Sequence, residues 1–194
     1  MNEPSYRNAI DADAVQIAKL HADSWRANYR GMLNEHYLNG DIDSDRLDVW
    51  SRRIGDAPAK QLVMVGEQGG AVVGFICAYE GADTTWGALI DNLHVRPDFM
   101  NGGVGTQLLL LAGRWLSERN AQAGTFLWVM EANARARRFY ESLGATNSEQ
   151  IIKTDLPGGS IASNCRYTWR TAQDLAAMAE SKLRRGPQVR ATSS

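Results

Sequence analysis

The chain has 194 residues and a formal net charge of −1, with 44% hydrophobic and 22% charged residues. That length suits one domain with a real core, and the near-neutral balance gives no reason to expect nucleic acid as a partner. No apolar run reaches membrane-spanning length, and the opening Met1-Asn2-Glu3-Pro4 does not read as a secretory signal. Cys77 and Cys165 each sit alone in a strand-like run, which points to free thiols in a reducing cytoplasm. His21, His36 and His94 are scattered without metal-ligand spacing.

In chain order, Tyr6 to Ile10 reads as a first strand. Asp11 is placed to cap the helix that follows, with Asp13 in its acidic first turn. Ile17, Leu20, His21, Ser24 and Trp25 share one face of that helix, and Gly31 ends it. A second helix over 43–54 carries Leu47 and Trp50 and is broken by Gly55-Asp56-Ala57-Pro58. Strands are expected over 62–67 and 71–80, joined by a hairpin turn at Gln68-Gly69-Gly70. Residues 81–87 read as a loop. Residues 88–95 read as a strand, with Leu89, Asp91, Leu93 and Val95 alternating with the others. Pro97 ends it, having no N–H to give the ladder.

A short glycine loop, Gly102-Gly103-Val104-Gly105, then leads into a helix with Leu108, Leu111, Ala112, Trp115 and Leu116 at helical spacing. Thr125 to Met130 is a strand. Ala134 to Leu143 is a helix closed by Gly144. Strands over 151–154 and 165–170 flank the turn Pro157-Gly158-Gly159. Thr171 with Asp174 resembles a capping box for a helix over 171–185, and 186–194 reads as a basic, polar, disordered tail.

The glycine loop is where chemistry concentrates. Backbone N–H groups free of side chains can approach an anion closely, and the next helix begins with unpaired N–H groups at the positive end of its dipole. A side chain at Gly103 or Gly105 is expected to obstruct that approach. A flexible turn before a core helix would use the same residues. No Lys-Ser/Thr follows Gly105, which excludes a Walker loop, and the spacing is not the dinucleotide G-x-G-x-x-G.

Met100 to Gly105, followed by Val129 to Gly144 with Asn133 and Phe139-Tyr140-Glu141, resembles the paired signatures of the GNAT (general N-acetyltransferase) superfamily. Those signatures are strand–R/Q-x-x-G-x-G/A–helix, then strand–Asn–helix with Phe-Tyr-Glu and a closing Gly. The resemblance runs roughly from 5 to 170 and is strongest from 89 to 145. It implies an α/β (α+β) fold over 1–170: a central, mostly antiparallel mixed sheet of about six to seven strands, splayed between two neighbours, with helices on both faces. It implies acetyl-CoA as co-substrate, no metal, and direct transfer of acetyl to a primary amine. The acceptor would be a small amine, an amino acid, an antibiotic or a protein. No nucleic-acid or membrane partner is expected, and the C-terminal helix is a candidate homodimer element.

Carried over residue by residue, the coenzyme diphosphate falls to the backbone of Asn101, Gly102, Gly103, Val104, Gly105 and Thr106, with the Thr106 hydroxyl. Met100 stands where the family has Arg or Gln and supplies no strong donor. Leu93, His94 and Val95 would hold the pantetheine arm through main chain, as an added strand does. Asn133 reaches that arm or caps the next helix, and can do both. Tyr140 is the acid for the leaving thiolate, or else a core aromatic; a phenol of reference pKa about 10 suits the former. Leu89 and Trp128 fill the positions where family members carry an acidic base, which leaves Asp91 and His94 as candidates beside Glu80 and water. Trp25, Tyr29 and Trp86 are candidate walls of an acceptor pocket. Arg138, with Arg135 and Arg137, is a candidate for the 3′-phosphate. A non-catalytic acyl-CoA-binding module is the alternative reading, and a purely structural domain the next.

Overall fold

The centre of the sheet is a run of residues that only a strand covered on both faces can use. Val72 through Ala78 are buried without interruption in strand β3 (Ala71–Asp83). A computed structural model describes residues 3–56 and 58–186, and the expected tail beyond 186 lies outside them. β3 belongs to a seven-stranded sheet of order β1-β2-β3-β4-β5-β7-β6. The others are β1 (Ser5–Asn8), β2 (Gln61–Gln68), β4 (Gly87–Val95), β5 (Thr125–Met130), β6 (Thr146–Leu156) and β7 (Ser160–Trp169). Every neighbouring pair is antiparallel except β4 with β5.

Helices cover both faces. On one side α1 (Ala14–Asn28) and α3 (Ile42–Gly55) bring Ile17 and Trp50 against Val65, Phe75 and Cys77. On the other, α4 (Val104–Asn120) lays Leu108 and Leu109 over Ile76 and Val73. It comes so close that a Cβ on Gly74 would sit 3.0 Å from Val104. Helix α6 (Ala172–Arg185) packs its apolar face, including Leu175 and Ala179, onto the same core as α4. That face is therefore already covered within the chain, which removes the simplest argument for α6 as a dimer element. Two shorter helices complete the set: α2 (Glu35–Asn39) and α5 (Ala134–Glu141).

Several expected boundaries shift for local reasons. Asp11 does not cap α1. Asp13 accepts the Ile10 N–H at 2.9 Å and pairs with Arg7 at 2.6 Å. Helix α1 closes at Asn28, and Gly31 lies in the turn beyond it with φ 73°. The stretch 81–87 is not an open loop. β3 runs to Asp83, whose carboxylate accepts the Thr85 and Trp86 N–H groups and tightens the hairpin. β6 and β7 are longer than expected, because β6 is an edge strand with many exposed residues and little apolar alternation to read. Thr171 Oγ1 does accept the Asp174 N–H, at 3.0 Å, and caps α6. Cys77 and Cys165 are free, buried thiols. Among the described residues no helix is long and apolar enough to cross a membrane.

His21 is completely buried between α1 and α3. Trp50 Nε1 donates to its Nδ1 at 2.9 Å, so the neutral ring carries its proton on Nε2, which has no acceptor among the described residues. Burial above all, then the neighbouring His94, Arg46 and Arg53, holds its pKa well below 6.5. The unfolded chain therefore takes up a proton that the folded chain refuses. The stability present above pH 6.5 is lost as pH falls below it, at up to about 1.4 kcal/mol per pH unit for one such histidine. Replacing it in His21→Gln is expected to remove that share of the slope. Urea unfolding from pH 7.5 downward checks this, and equal slopes in both proteins would contradict it.

Candidate active site

β4 and β5 run side by side for only two residue pairs, Ala88 with Thr125 and Leu89 with Phe126. They can start that close because Gly87, at φ 82°, has no Cβ; one there would lie 2.2 Å from the Gly124 carbonyl. Beyond Leu89 the strands part, although β4 continues to Val95 and β5 to Met130. The β4 edge from Ile90 onward thus faces a gap rather than a partner. A cavity of about 390 Å³ lies at this gap. Ile90 to His94 line one side, Leu127, Trp128, Met130 and Tyr140 the other, and Trp25 of α1, Tyr29 just beyond its end, and Arg46 and Arg53 of α3 close it.

The glycine loop sits at the other end of the same gap. Asn101 and Gly103 are left-handed, at φ 67° and 85°, and the helix begins at Val104. Gln107 N–H bonds the Gly103 carbonyl at 2.9 Å, whereas the N–H groups of Gly103, Val104, Gly105 and Thr106 find no acceptor among the described residues. These are the orphan donors of a helix start, at the positive end of the α4 dipole. Backbone conformation and position give each glycine its own reason. Gly103 is required by its positive φ. A Cβ on Gly105 would point at Val95, 3.5 Å away, and at Phe139, 3.6 Å away, so its absence keeps the mouth of the gap open. Leu93, 3.9 Å from that position, also lines the cavity and joins loop to cavity.

Tyr140 lies on α5, 8% exposed, packed edge-on against Trp169 and Phe139. It is both a core aromatic and a cavity residue. Its hydroxyl makes no hydrogen bond among the described residues. Burial first, then the nearby Tyr29, raises its pKa above the usual phenol value, so it stays protonated at neutral pH. Asn133 caps α5 by accepting the Ala136 N–H at 3.1 Å. Its side chain also reaches the Tyr29 hydroxyl, partly offsetting the upward push of burial on that phenol.

Both candidate bases are engaged by neighbours. Asp91 Oδ2 is held by Arg53 Nη1 at 2.6 Å, and the same nitrogen donates to Asn92 Oδ1 at 2.8 Å. His94 Nδ1 is 2.7 Å from Ser24 Oγ, and burial, then the Arg46 charge, pushes its pKa down to about 3. Asn28 donates to Ser24 Oγ, which leaves the serine proton for His94 Nδ1 and the ring's own proton on Nε2. His94 therefore presents a neutral ring to the cavity, a poor proton acceptor.

Trp25 and Tyr29 line the cavity as expected, but Trp86 does not. It sits on the β3–β4 hairpin and stacks on Arg166, with 4.6 Å from guanidinium carbon to ring centre. Arg137 is tied to Tyr167 Oη and the Glu131 carbonyl, so it is structural. Arg135 and Arg138 are exposed on α5, away from the cavity lining. Ser24, Arg46, Arg53 and Asn164 are site residues that the reading of single motifs misses. One signal was available: Arg46, Trp50 and Arg53 recur at i, i+4 and i+7 on α3, one face of one helix.

The Acetyltransferase (GNAT) family model matches residues 17–145. An uncharacterized N-acetyltransferase of Archaeoglobus fulgidus is 38% identical over 91 residues, 43% of this chain and 58% of that relative's length. Among solved structures, a GCN5-related N-acetyltransferase from Rhodopseudomonas palustris shares the fold at TM-score 0.69 and 22% identity, covering 88% of this chain and 97% of that one. A PaiA N-acetyltransferase from Thermoplasma acidophilum, in complex with coenzyme A, does so at TM-score 0.63 and 19% identity, covering 84% and 98%. The family model spans more than half of the chain and includes both the loop before α4 and the Asn133–Tyr140 segment, so this protein belongs to the Acetyltransferase (GNAT) family.

Proposed function

We propose that this protein is an acetyl-CoA-dependent N-acetyltransferase that acetylates a primary amine held in the cavity between β4 and β5. The observation that carries this reading is the continuity of the site: unpaired N–H groups at the start of α4, an unpartnered β4 edge, and a cavity holding a protonated phenol, in that order along one gap. When bound, acetyl-CoA supplies an activated thioester and a thiolate leaving group. The residues present fit such a guest. The N–H groups of Gly103 to Thr106 suit a diphosphate, and the buried Thr106 adds a hydroxyl beside them. The β4 edge from Ile90 to Val95 offers main-chain groups to an amide-bearing arm and to a carbonyl oxygen gaining charge.

Tyr140 keeps its proton at Oη until the thiolate needs it. With Asp91 paired and His94 held neutral, we assign loss of the ammonium proton to water before the amine enters; the second proton, shed by the nitrogen as its bond to the acetyl carbon forms, replaces the one that Tyr140 gives to the thiolate. Asn133 positions the site by fixing the start of α5. Free buried thiols at Cys77 and Cys165 support a reducing, cytoplasmic setting.

Free-thiol release from acetyl-CoA across a broad amine panel tests the activity. Acetyl-CoA binding with no thiol release from any amine would favour the binding-module alternative. In Tyr140→Phe, kcat is expected to fall by about 10²-fold or more while acetyl-CoA affinity holds. The rising limb of kcat/KM against pH should track the acceptor's own amine pKa. Wild-type kcat in that variant, or a limb independent of the acceptor, would remove these assignments.

A further inference from the structure

The wall of the cavity divides by chemistry. Its charged residues are Arg46, Arg53 and Asp91, and each has a partner. Arg53 Nη1 donates to Asp91 at 2.6 Å, and Arg46 Nη2 donates to Asp45 at 2.6 Å. The amides are engaged as well. Arg53 donates to Asn92 Oδ1 at 2.8 Å, and Asn164 donates to the Ala162 carbonyl at 3.0 Å. The rest of the wall is apolar where the end of α1 meets the ends of β5 and β6. Trp25, Leu33 and Met130 belong to one buried hydrophobic cluster, with Tyr29 and Leu156 packed on it, and all five line the cavity. This cluster is separate from the two that fasten the long helices to the sheet.

The apolar wall is also tied across. The Asn34 N–H donates to Ser160 Oγ at 2.7 Å, and a Cβ on Gly158 would lie 2.5 Å from Tyr37 Cβ. These contacts join the segment after Leu33 to the turn after Leu156, so a polypeptide acceptor would have to break them to pass between. The cavity of about 390 Å³ is near the small end for ligand sites, which suits a compact molecule. A charged tail would lose its water against a wall whose ions and amides are already partnered, and that loss is costly. A hydrocarbon tail gains by leaving water. An apolar wall also favours the neutral amine over its ammonium form.

We infer that the acceptor is a primary amine on an uncharged hydrocarbon tail, an alkyl- or arylalkylamine, whose tail lies against Trp25, Leu33, Met130 and Leu156 while its nitrogen reaches the gap beside Tyr140. This inference rests on the transferase reading. The matching experiment compares hexylamine, ε-aminocaproate and hexamethylenediamine in the thiol-release assay with the wild-type protein. A charge at the far end of such a chain barely alters the basicity of the reacting nitrogen, so the tails are compared by themselves. Hexylamine is expected to show kcat/KM about tenfold or more above either charged analogue. From propylamine to hexylamine, kcat/KM should rise by about three- to fourfold per methylene. Leu156 is only partly buried, and Leu156→Lys is expected to raise the ratio of ε-aminocaproate to hexylamine use by about tenfold or more.

Turnover is not the only readout. Calorimetric titration in the presence of CoA should show N-hexylacetamide binding about tenfold more tightly than N-acetyl-ε-aminocaproate, a difference that narrows in Leu156→Lys. Equal use of the three amines, or preference for a charged one, with the acetylated products binding alike, overturns the hydrocarbon assignment and leaves the transferase reading standing. Selective binding of N-hexylacetamide without thiol release from any amine supports the apolar site and sinks the transferase reading. Neither thiol release nor a difference in binding sinks both. If Leu156→Lys does not fold, the comparison of tails on the wild-type protein decides.

Discussion

The parting of β4 from β5 after Leu89 and Phe126 is the constraint on which the rest of the structure depends. A sheet normally satisfies the backbone groups of every interior strand. Here two central strands begin in contact, through the Gly87–Gly124 approach, and then give up their ladder. The cost is tolerable because the gap is walled rather than exposed. α1 and α3 close one side, α5 projects Tyr140 into it, and the loop before α4 opens at its end. An extended guest with amide groups and an anionic end would restore the missing pairing, which is why fold and proposed chemistry are hard to separate in this chain.

The gap is also a place where titration is suppressed. His94 and His21 are kept neutral by burial and by the arginines around them, and Tyr140 is kept protonated. The cations are spread over aromatic faces: Arg46 on Trp25, and Arg53 on Trp50 and Tyr79. This arrangement suits a reaction needing a ready proton donor more than one driven by a strong internal base. It also explains why neither Asp91 nor His94 looks like a catalytic carboxylate or imidazole once its partners are in view.

How much of this the chain announces depends on how local each feature is. The glycine loop, Asn133 and Tyr140 belong to contiguous motifs whose meaning survives without tertiary information, and their order along the chain pointed to the family. The core of β3 was legible because a doubly covered strand is continuously apolar. β6 was not, because an exposed edge strand with Ile152 facing solvent carries no period to read. Arg46 stands among Asp43, Asp45 and Asp48, where a charged helix face is the ordinary reading. Only the packing of α3 beneath Trp25 turns it inward. Trp86 failed in the opposite direction: a large aromatic near the site in sequence is turned away by a hairpin that Asp83 tightens.

The most direct measurement of the central claim is acetyl-CoA titration of Gly105→Asp. Gly105 lies in the first turn of α4 and is not left-handed, so an aspartate suits the local backbone and the helix dipole. Its side chain would enter the mouth of the gap, towards Val95 and Phe139, with a negative charge beside the free N–H groups. The account expects a variant that melts like the wild type and shows no measurable acetyl-CoA binding. A folded variant with an unchanged acetyl-CoA titration curve would contradict it.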